Sequence, residues 1–291
     1  MVVLVTGARS GIGRATALSA GRAGHTVYAG FRDLSTKDQL MKDADGLSIV
    51  PVQLDITSPE DRVAVQKQIL AAEGHLDVLV NNAGVALGGF LEQVEEDEIR
   101  RLFDVNFFGT WALTRLWLPS MRARREGLVV NVSSMAGRMA MPGLGSYAAS
   151  KFALEGMTEA LRHELKPWGV RVVAIEPGAY KTDIWGVNRT VSRNSHDPES
   201  DWAGMVKRMD EVFQKVVDKQ AKEPDEVGDH IVGLFSARNP VLRHPLGGES
   251  WLRMLVLKLA PFSLIEFVMS RGLKFERYIA ADGDTSKPQR S

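Results

Sequence analysis

Val2-Val3-Leu4-Val5-Thr6-Gly7-Ala8-Arg9-Ser10-Gly11-Ile12-Gly13-Arg14 stands almost at the first residue of the chain. Its valine and leucine run reads as a strand buried on both faces, the kind found inside parallel sheets. The glycines that follow remove Cβ atoms where the backbone must turn tightly and come close to a pyrophosphate. The helix that starts there offers its N-terminal N–H groups to that anion. The spacing is Thr-Gly-x-x-x-Gly-x-Gly, distinct from the more usual Gly-x-Gly-x-x-Gly. Gly7, Gly11 and Gly13, with Arg9, Ser10 and Ile12 between them, are therefore candidate phosphate-binding residues.

Outward from this stretch, apolar runs alternate with helical patterns. Thr26–Phe31, Leu47–Leu54, Val78–Asn81, Leu128–Ser133 and Arg171–Glu176 read as further strands. Arg14–Ala23, Pro59–Glu73, Asp97–Met121 and Tyr147–Lys166 carry apolar residues at helical spacing. This alternation predicts the α/β class: a single doubly wound, Rossmann-type parallel sheet flanked by helices, with ligands at the carboxyl ends of its strands. Residues 186–200 read as a loop, Asp201–Lys219 as an amphipathic helix, and Pro224-Asp225-Glu226 as the start of another. The apolar run Trp251–Met269 is broken by Arg253, Lys258, Pro261 and Glu266, so no transmembrane segment is expected. We expect residues 1–240 to form one dinucleotide-binding and catalytic domain, with a substrate loop at about 180–220. Residues 241–291 are expected to add a C-terminal helical extension packing on it as a substrate lid or tail.

Composition excludes several classes. Lys+Arg and Asp+Glu both number 36, so nothing steers the chain towards nucleic acid or an anionic membrane. The absence of cysteine removes disulfides, thiolate metal sites and a cysteine nucleophile, and fits a reducing, cytoplasmic location. The histidines at 25, 75, 163, 196, 230 and 244 never fall at metal-ligand spacing, so no metal is expected.

Tyr147 and Lys151 lie four residues apart, on one face if Tyr147–Lys166 is a helix. A phenol titrates near pH ~10, and a fixed cation beside it favours the phenolate. The pair therefore reads as a proton-transfer device in which Lys151 lowers the phenol's pKa. Ser134, thirteen residues before the tyrosine and at the end of an apolar run, supplies a hydroxyl. After the second strand comes Phe31-Arg32-Asp33. A guanidinium at a strand end matches the 2′-phosphate of NADP(H), whereas an acid there matches the ribose of NAD(H). Arg32, with Arg9, favours NADP(H); the nearby Asp33 keeps NAD(H) as the alternative.

Together and in this order, these residues resemble the short-chain dehydrogenase/reductase family, in its compact single-domain branch, over about residues 1–240. In that resemblance Asp55, followed by Ile56, matches the aspartate that contacts the adenine. Asn81-Asn82-Ala83-Gly84 matches the segment that steadies the central sheet and lines the cofactor cleft. Asn106, Ser134, Tyr147 and Lys151 match the catalytic tetrad, and Pro177-Gly178 with Thr182 matches the segment closing over the nicotinamide. The resemblance implies an NADP(H)-dependent oxidoreductase interconverting a secondary alcohol and a ketone or aldehyde. Tyr147 would be its general acid/base, Ser134 would hold the substrate oxygen, and Lys151 would bind the nicotinamide ribose. Asn106 would support a water leading to Lys151. Two departures are visible: the position before the second glycine, often a base in the family, is Ser10, and the tail is longer and more apolar.

Met135, Met139, Met141 and Leu144 lie between Ser134 and Tyr147, and Tyr180, Ile184, Trp185 and Val187 follow the Pro-Gly turn. Met135, Met141, Leu144, Tyr180 and Trp185 are the candidate substrate pocket. Such residues suit a bulky, apolar alcohol/ketone pair, steroid, retinoid, terpenoid or polyketide-like. The competing reading is that they pack the core or a subunit interface. A second functional class, a non-catalytic NADP(H)-sensing regulator, is disfavoured because Tyr147 and Lys151 are both kept. Helices at Asp97–Met121 and Tyr147–Lys166 resemble the faces on which the family forms homodimers or homotetramers.

Overall fold

Nine segments form strands among the residues that the computed structural model describes, 1–185, 189–247 and 259–274. They are β1 (Val2–Thr6), β2 (Thr26–Phe31), β3 (Ile49–Gln53), β4 (Val78–Asn81), β5 (Ala86–Gly88), β6 (Gly127–Val132), β7 (Val170–Pro177), β8 (Arg189–Val191) and β9 (Arg243–Leu246). The helices are α1 (Gly11–Arg22), α2 (Asp38–Asp43), α3 (Pro59–Glu73), α4 (Glu96–Phe103), α5 (Thr110–Arg124), α6 (Gly145–Leu165), α7 (Ala203–Gln220), α8 (Asp225–Gly233) and α9 (Phe262–Leu273). Seven strands pair in parallel in the order β3-β2-β1-β4-β6-β7-β9, while β5 and β8 form a separate parallel pair.

Alternation of side chains along β1 sends Val3 and Val5 to one face and Val2 and Leu4 to the other. The first face is covered by α1 and α8, through Ala17, Leu18, Val227 and Ile231. The second is covered by α3, α5 and the end of α6, through Val65, Ile69, Leu113, Trp117, Met121 and Leu165. Gly228 lets α8 lie directly on α1, since a Cβ there would stand 2.7 Å from the Ala15 carbonyl carbon. The chain leaves β1 outward to β3 and then returns to β4 on the other side of β1. That reversal opens a crevice at the carboxyl ends of β1 and β4, the place where such sheets bind ligands.

Two differences from the sequence reading affect the site. Asp97–Met121 is not one helix: residues Asp104–Gly109 form a π-helical turn between α4 and α5. Gly109 packs there against main chain, where a Cβ would stand 2.8 Å from the Ile56 carbonyl oxygen and 3.0 Å from that of Asp104. The sheet also runs beyond residue 240, because β9 pairs with Ala174–Pro177 of β7 as its edge strand. As expected of a C-terminal helix packing on the domain, α9 meets α7 through Leu273, which is buried with Phe90, Met205 and Met209. The expectation for the apolar run 251–258 lies outside the described residues.

Candidate active site

The crevice is a cleft of about 940 Å³ that reaches from the β1–α1 turn to Tyr147. Gly7 and Gly11 adopt φ of +67° and +57°, conformations that side chains rarely tolerate. Gly11 also faces Thr182, whose Cγ2 would lie 2.9 Å from a Cβ at that position. Gly7, Arg9, Ser10, Gly11 and Ile12 line the cleft, and Gly13 lies beneath the turn against the Gly7 carbonyl. No acidic residue occupies the first turn of α1. A turn with glycine at its tight positions and an uncontested helix N-terminus fits a pyrophosphate, so the residues present fit a dinucleotide.

Asn82 fixes this turn, its side chain donating to the carbonyl oxygens of Thr6 (2.9 Å) and Gly7 (3.2 Å). The Thr6 hydroxyl accepts from the backbone N–H groups of Asn82 and Ala83, each at 2.9 Å. Asn81 ties the sheet from within, donating to Thr114 and Asn131, each at 2.8 Å. Beyond the turn, Asp55, Ile56, Ala83, Gly84, Pro177, Gly178 and Thr182 all line the cleft as predicted. Asp55 holds its own loop, accepting from the Thr57 N–H (2.8 Å) and hydroxyl (2.7 Å).

At the end of β2, Phe31, Arg32 and Asp33 line the same cleft. Asp33 caps the next turn, accepting from the Ser35 N–H (3.0 Å) and hydroxyl (2.7 Å). These two hydrogen bonds hold its carboxyl below the usual range. Arg9 pairs with Asp183 at 3.1 Å, spanning from the glycine turn to the segment after β7.

At the other end lie Ser134, Tyr147 and Lys151. Ser134 starts a short 3-10 turn, its side chain accepting from the Ala136 N–H (3.0 Å), and it lines the cleft together with Tyr147. Tyr147 is 2% exposed and Lys151 3%, both on the buried face of α6. Lys151 Nζ donates to the Val132 carbonyl oxygen (2.9 Å) and stands 5.9 Å from the centre of the Tyr147 ring. The π turn carries Asn106, whose side chain accepts from the Val85 N–H (2.9 Å) and donates to the Val85 carbonyl and Ser150 hydroxyl, each at 3.0 Å. Gly84 opens onto both groups: a Cβ there would lie 3.3 Å from Asn106 Oδ1 and 3.6 Å from Lys151 Nζ. The predicted tetrad is therefore assembled in one place.

Its electrostatics differ from the sequence reading. The expectation was a phenol lowered by Lys151. Burial instead pushes Tyr147 up to about 12, opposed by the Ser134 hydrogen bond. Burial also brings Lys151 down to about 8, opposed by the charge of Glu155.

The predicted substrate wall is also redistributed. Tyr180 and Ile184 line the cleft, but Met135, Met139, Met141 and Leu144 do not. Leu144 is buried just before α6, and Gly143 beside it packs against Met209 of α7. The side chain of Trp185, and Val187, lie outside the described residues. The wall near Tyr147 is built instead by Val85, Leu87, Leu102, Thr190 and Val191, with Glu98, Arg101 and Arg193 farther along the cleft. These residues come from α4, the β5–β8 pair and the residues flanking that pair. Only short apolar pairs such as Ala86-Leu87 mark β5 in sequence, so nothing pointed to them.

A sequence profile described as short chain dehydrogenase matches residues 1–192. The 3-ketodihydrosphingosine reductase of Bacteroides thetaiotaomicron is 34% identical over 261 residues, covering 86% of this chain and 93% of that protein. The crystal structure of a short-chain dehydrogenase from Streptomyces avermitilis superposes with a TM-score of 0.78 at 33% identity, covering 97% of this chain and 98% of that one. The 3-ketoacyl-(acyl-carrier-protein) reductase of Brucella melitensis, complexed with NADH, gives a TM-score of 0.70 at 26% identity, covering 85% and 96%.

Proposed function

The chain belongs to the short-chain dehydrogenase/reductase family of oxidoreductases, and we propose that it interconverts a secondary alcohol and a ketone or aldehyde with NADP(H), Tyr147 being the general acid/base. The observation that carries this reading is the gathering of Ser134, Tyr147 and Lys151 in the same cleft that the glycine turn lines. When bound, the nicotinamide supplies or accepts hydride. Ser134 holds the substrate oxygen, and Tyr147 passes a proton between its hydroxyl and that oxygen. Lys151 offers a positive charge beside the phenol, and Asn106 braces the cleft floor by gripping Val85 at both its N–H and its carbonyl. With its phenol held near 12, Tyr147 is the protonated acid at neutral pH, the form that reduction requires.

NADP(H) is favoured over NAD(H) because Asp33 spends its carboxylate on Ser35, while Arg32 lines the cleft. A bulky, apolar substrate is favoured by Leu87, Leu102, Ile184 and Val191 around Tyr147. The name of the Bacteroides relative, a reductase of a long-chain ketone, points the same way. A homo-oligomer is favoured by Phe108, Trp111 and Phe152, which are 52%, 44% and 46% exposed on the π turn, α5 and α6. Tyr147→Phe tests the reading: NADPH-dependent reduction of a bulky ketone should fall by about 10²-fold or more while NADPH still binds. Unchanged turnover would refute Tyr147 as the proton donor.

A further inference from the structure

Beneath Lys151 lies a buried cluster of charges that no step above uses. Glu155 is the next residue along the face of α6 that carries Tyr147 and Lys151, at i+4 from the lysine. Glu176 ends the run of β7 just before Pro177, and its side chain is fully buried. Strand register sets Val132, the acceptor of the Lys151 ammonium, beside Ile175. The following Ser133 and Glu176 therefore lie at the same end of the sheet. Gly137 closes the space, since a Cβ there would be 2.9 Å from the Ser133 hydroxyl and 3.1 Å from Glu155 Cγ.

Arg243 of β9 reaches in from the sheet edge. Its Nε stands 3.0 Å from Glu155 and 3.5 Å from Glu176, and its Nη2 donates to Glu159 at 2.5 Å. Arg138, beyond the 3-10 turn, pairs with Glu176 at 3.3 Å, and His163 adds positive charge near Glu159 when protonated. Three carboxylates thus face two guanidinium groups. One oxygen each of Glu155 and Glu176, and the Ser133 hydroxyl, have no hydrogen-bond partner. Burial, with the charge of Glu155, pushes Glu176 up to about 7. Glu176 is thus the member of the pair that takes up a proton near neutrality.

We propose that Glu155, braced by Arg243 and Glu176, is a positioning residue for proton transfer: its buried carboxylate keeps Lys151 an ammonium at the back of the cleft. The surroundings of Lys151 are otherwise hostile to charge, since burial acts to neutralise it and Glu155 is the charge that opposes this. The proposal rests on Lys151 belonging to the proton-transfer site, but its test needs neither substrate nor cofactor. In protein labelled with ¹³C-lysine, the Lys151 side chain is assigned by its loss in Lys151→Met and titrated by NMR. Glu155→Gln should lower the Lys151 midpoint by about one pH unit, a tenfold loss of proton affinity. Glu155→Asp, which keeps the charge, should titrate close to the parent, which a merely structural role would not produce. With substrate, the alkaline limb of reductive kcat/KM in Glu155→Gln should move to lower pH. If Glu155→Gln does not fold, Glu155→Met, which fills a similar volume without charge or an amide to satisfy, carries the same measurement. A Lys151 midpoint unchanged in the folded glutamine variant would overturn the proposal, whether or not the protein reduces ketones.

Discussion

The side-chain amide of Asn82 occupies the space into which a Cβ on Gly13 would project. From there it donates to the carbonyl oxygens of Thr6 and Gly7, so the cofactor turn is held by a residue from β4's far end. Gly13→Ala would push the methyl against Asn82 and the Gly7 carbonyl together. Overpacking of this kind costs about 1–3 kcal/mol. NADPH affinity, followed by fluorescence titration, should drop about tenfold or more. Parent-like binding by Gly13→Ala would show that the turn is not rigid.

Cofactor choice should reside in Arg32 and Arg9. Losing a charge-assisted hydrogen bond to a 2′-phosphate costs about 1.5–3 kcal/mol, or roughly 10- to 150-fold in affinity. Arg32→Ala should therefore raise KM for NADPH on that scale and leave KM for NADH within about twofold. Asp33→Ala should disturb the Ser35 cap but not the NADPH/NADH ratio. Equal losses with both cofactors in Arg32→Ala would exclude 2′-phosphate recognition there.

The two directions of the reaction should respond oppositely to pH. Tyr147, pushed up to about 12, is protonated at neutral pH, and oxidation needs its phenolate. Oxidative kcat/KM should therefore climb between about pH 6 and 9, while reductive kcat/KM stays level or declines. A flat oxidative profile would place the proton acceptor elsewhere.

Glu176 should make the protein less stable as pH rises. Its carboxyl has an ordinary value of 4.5 and is raised to about 7 in the fold, mainly by burial. The folded state therefore binds this proton more tightly than the unfolded chain. Stability is lost as pH climbs from the unfolded value through the folded one, on the order of 3 kcal/mol in all. Glu176→Gln should gain Tm relative to the parent between about pH 5 and 8. A difference in Tm that does not change with pH would rule this out.

Much of the fold is legible because burial on both sides leaves a plain mark. Val2–Thr6, Thr26–Phe31 and Val78–Asn81 coincide with β1, β2 and β4, and Pro59–Glu73 with α3. That helix announces itself through the Ser58 cap, Pro59 in its first turn and Gly74 in the left-handed conformation after it. The phosphate end is legible for a similar reason, since glycines mark where backbone must approach closely. The substrate end is not. Three-residue strands such as β5 and β8 are too short for any period to show, and they supply much of the apolar wall. The methionines beside Ser134 are apolar and near in sequence, but they do not line the cleft. The order of pKa values was also hidden, because i, i+4 spacing reveals the Tyr147–Lys151 pairing but not the burial that outweighs it.

The π turn at Asp104–Gly109 fixes the chain length around Asn106. Such a turn holds one residue more than an α-helix between the same ends, and one residue in a helix is about 100° of rotation. Deleting a single residue there would let a regular helix join the same two ends, yet the rewound turn would carry Asn106 away from Val85. Substitution can be absorbed by neighbouring side chains, whereas a shift in count cannot. This short stretch is therefore a length-locked spacer, at which a one-residue deletion would do more damage than many exchanges of side chain.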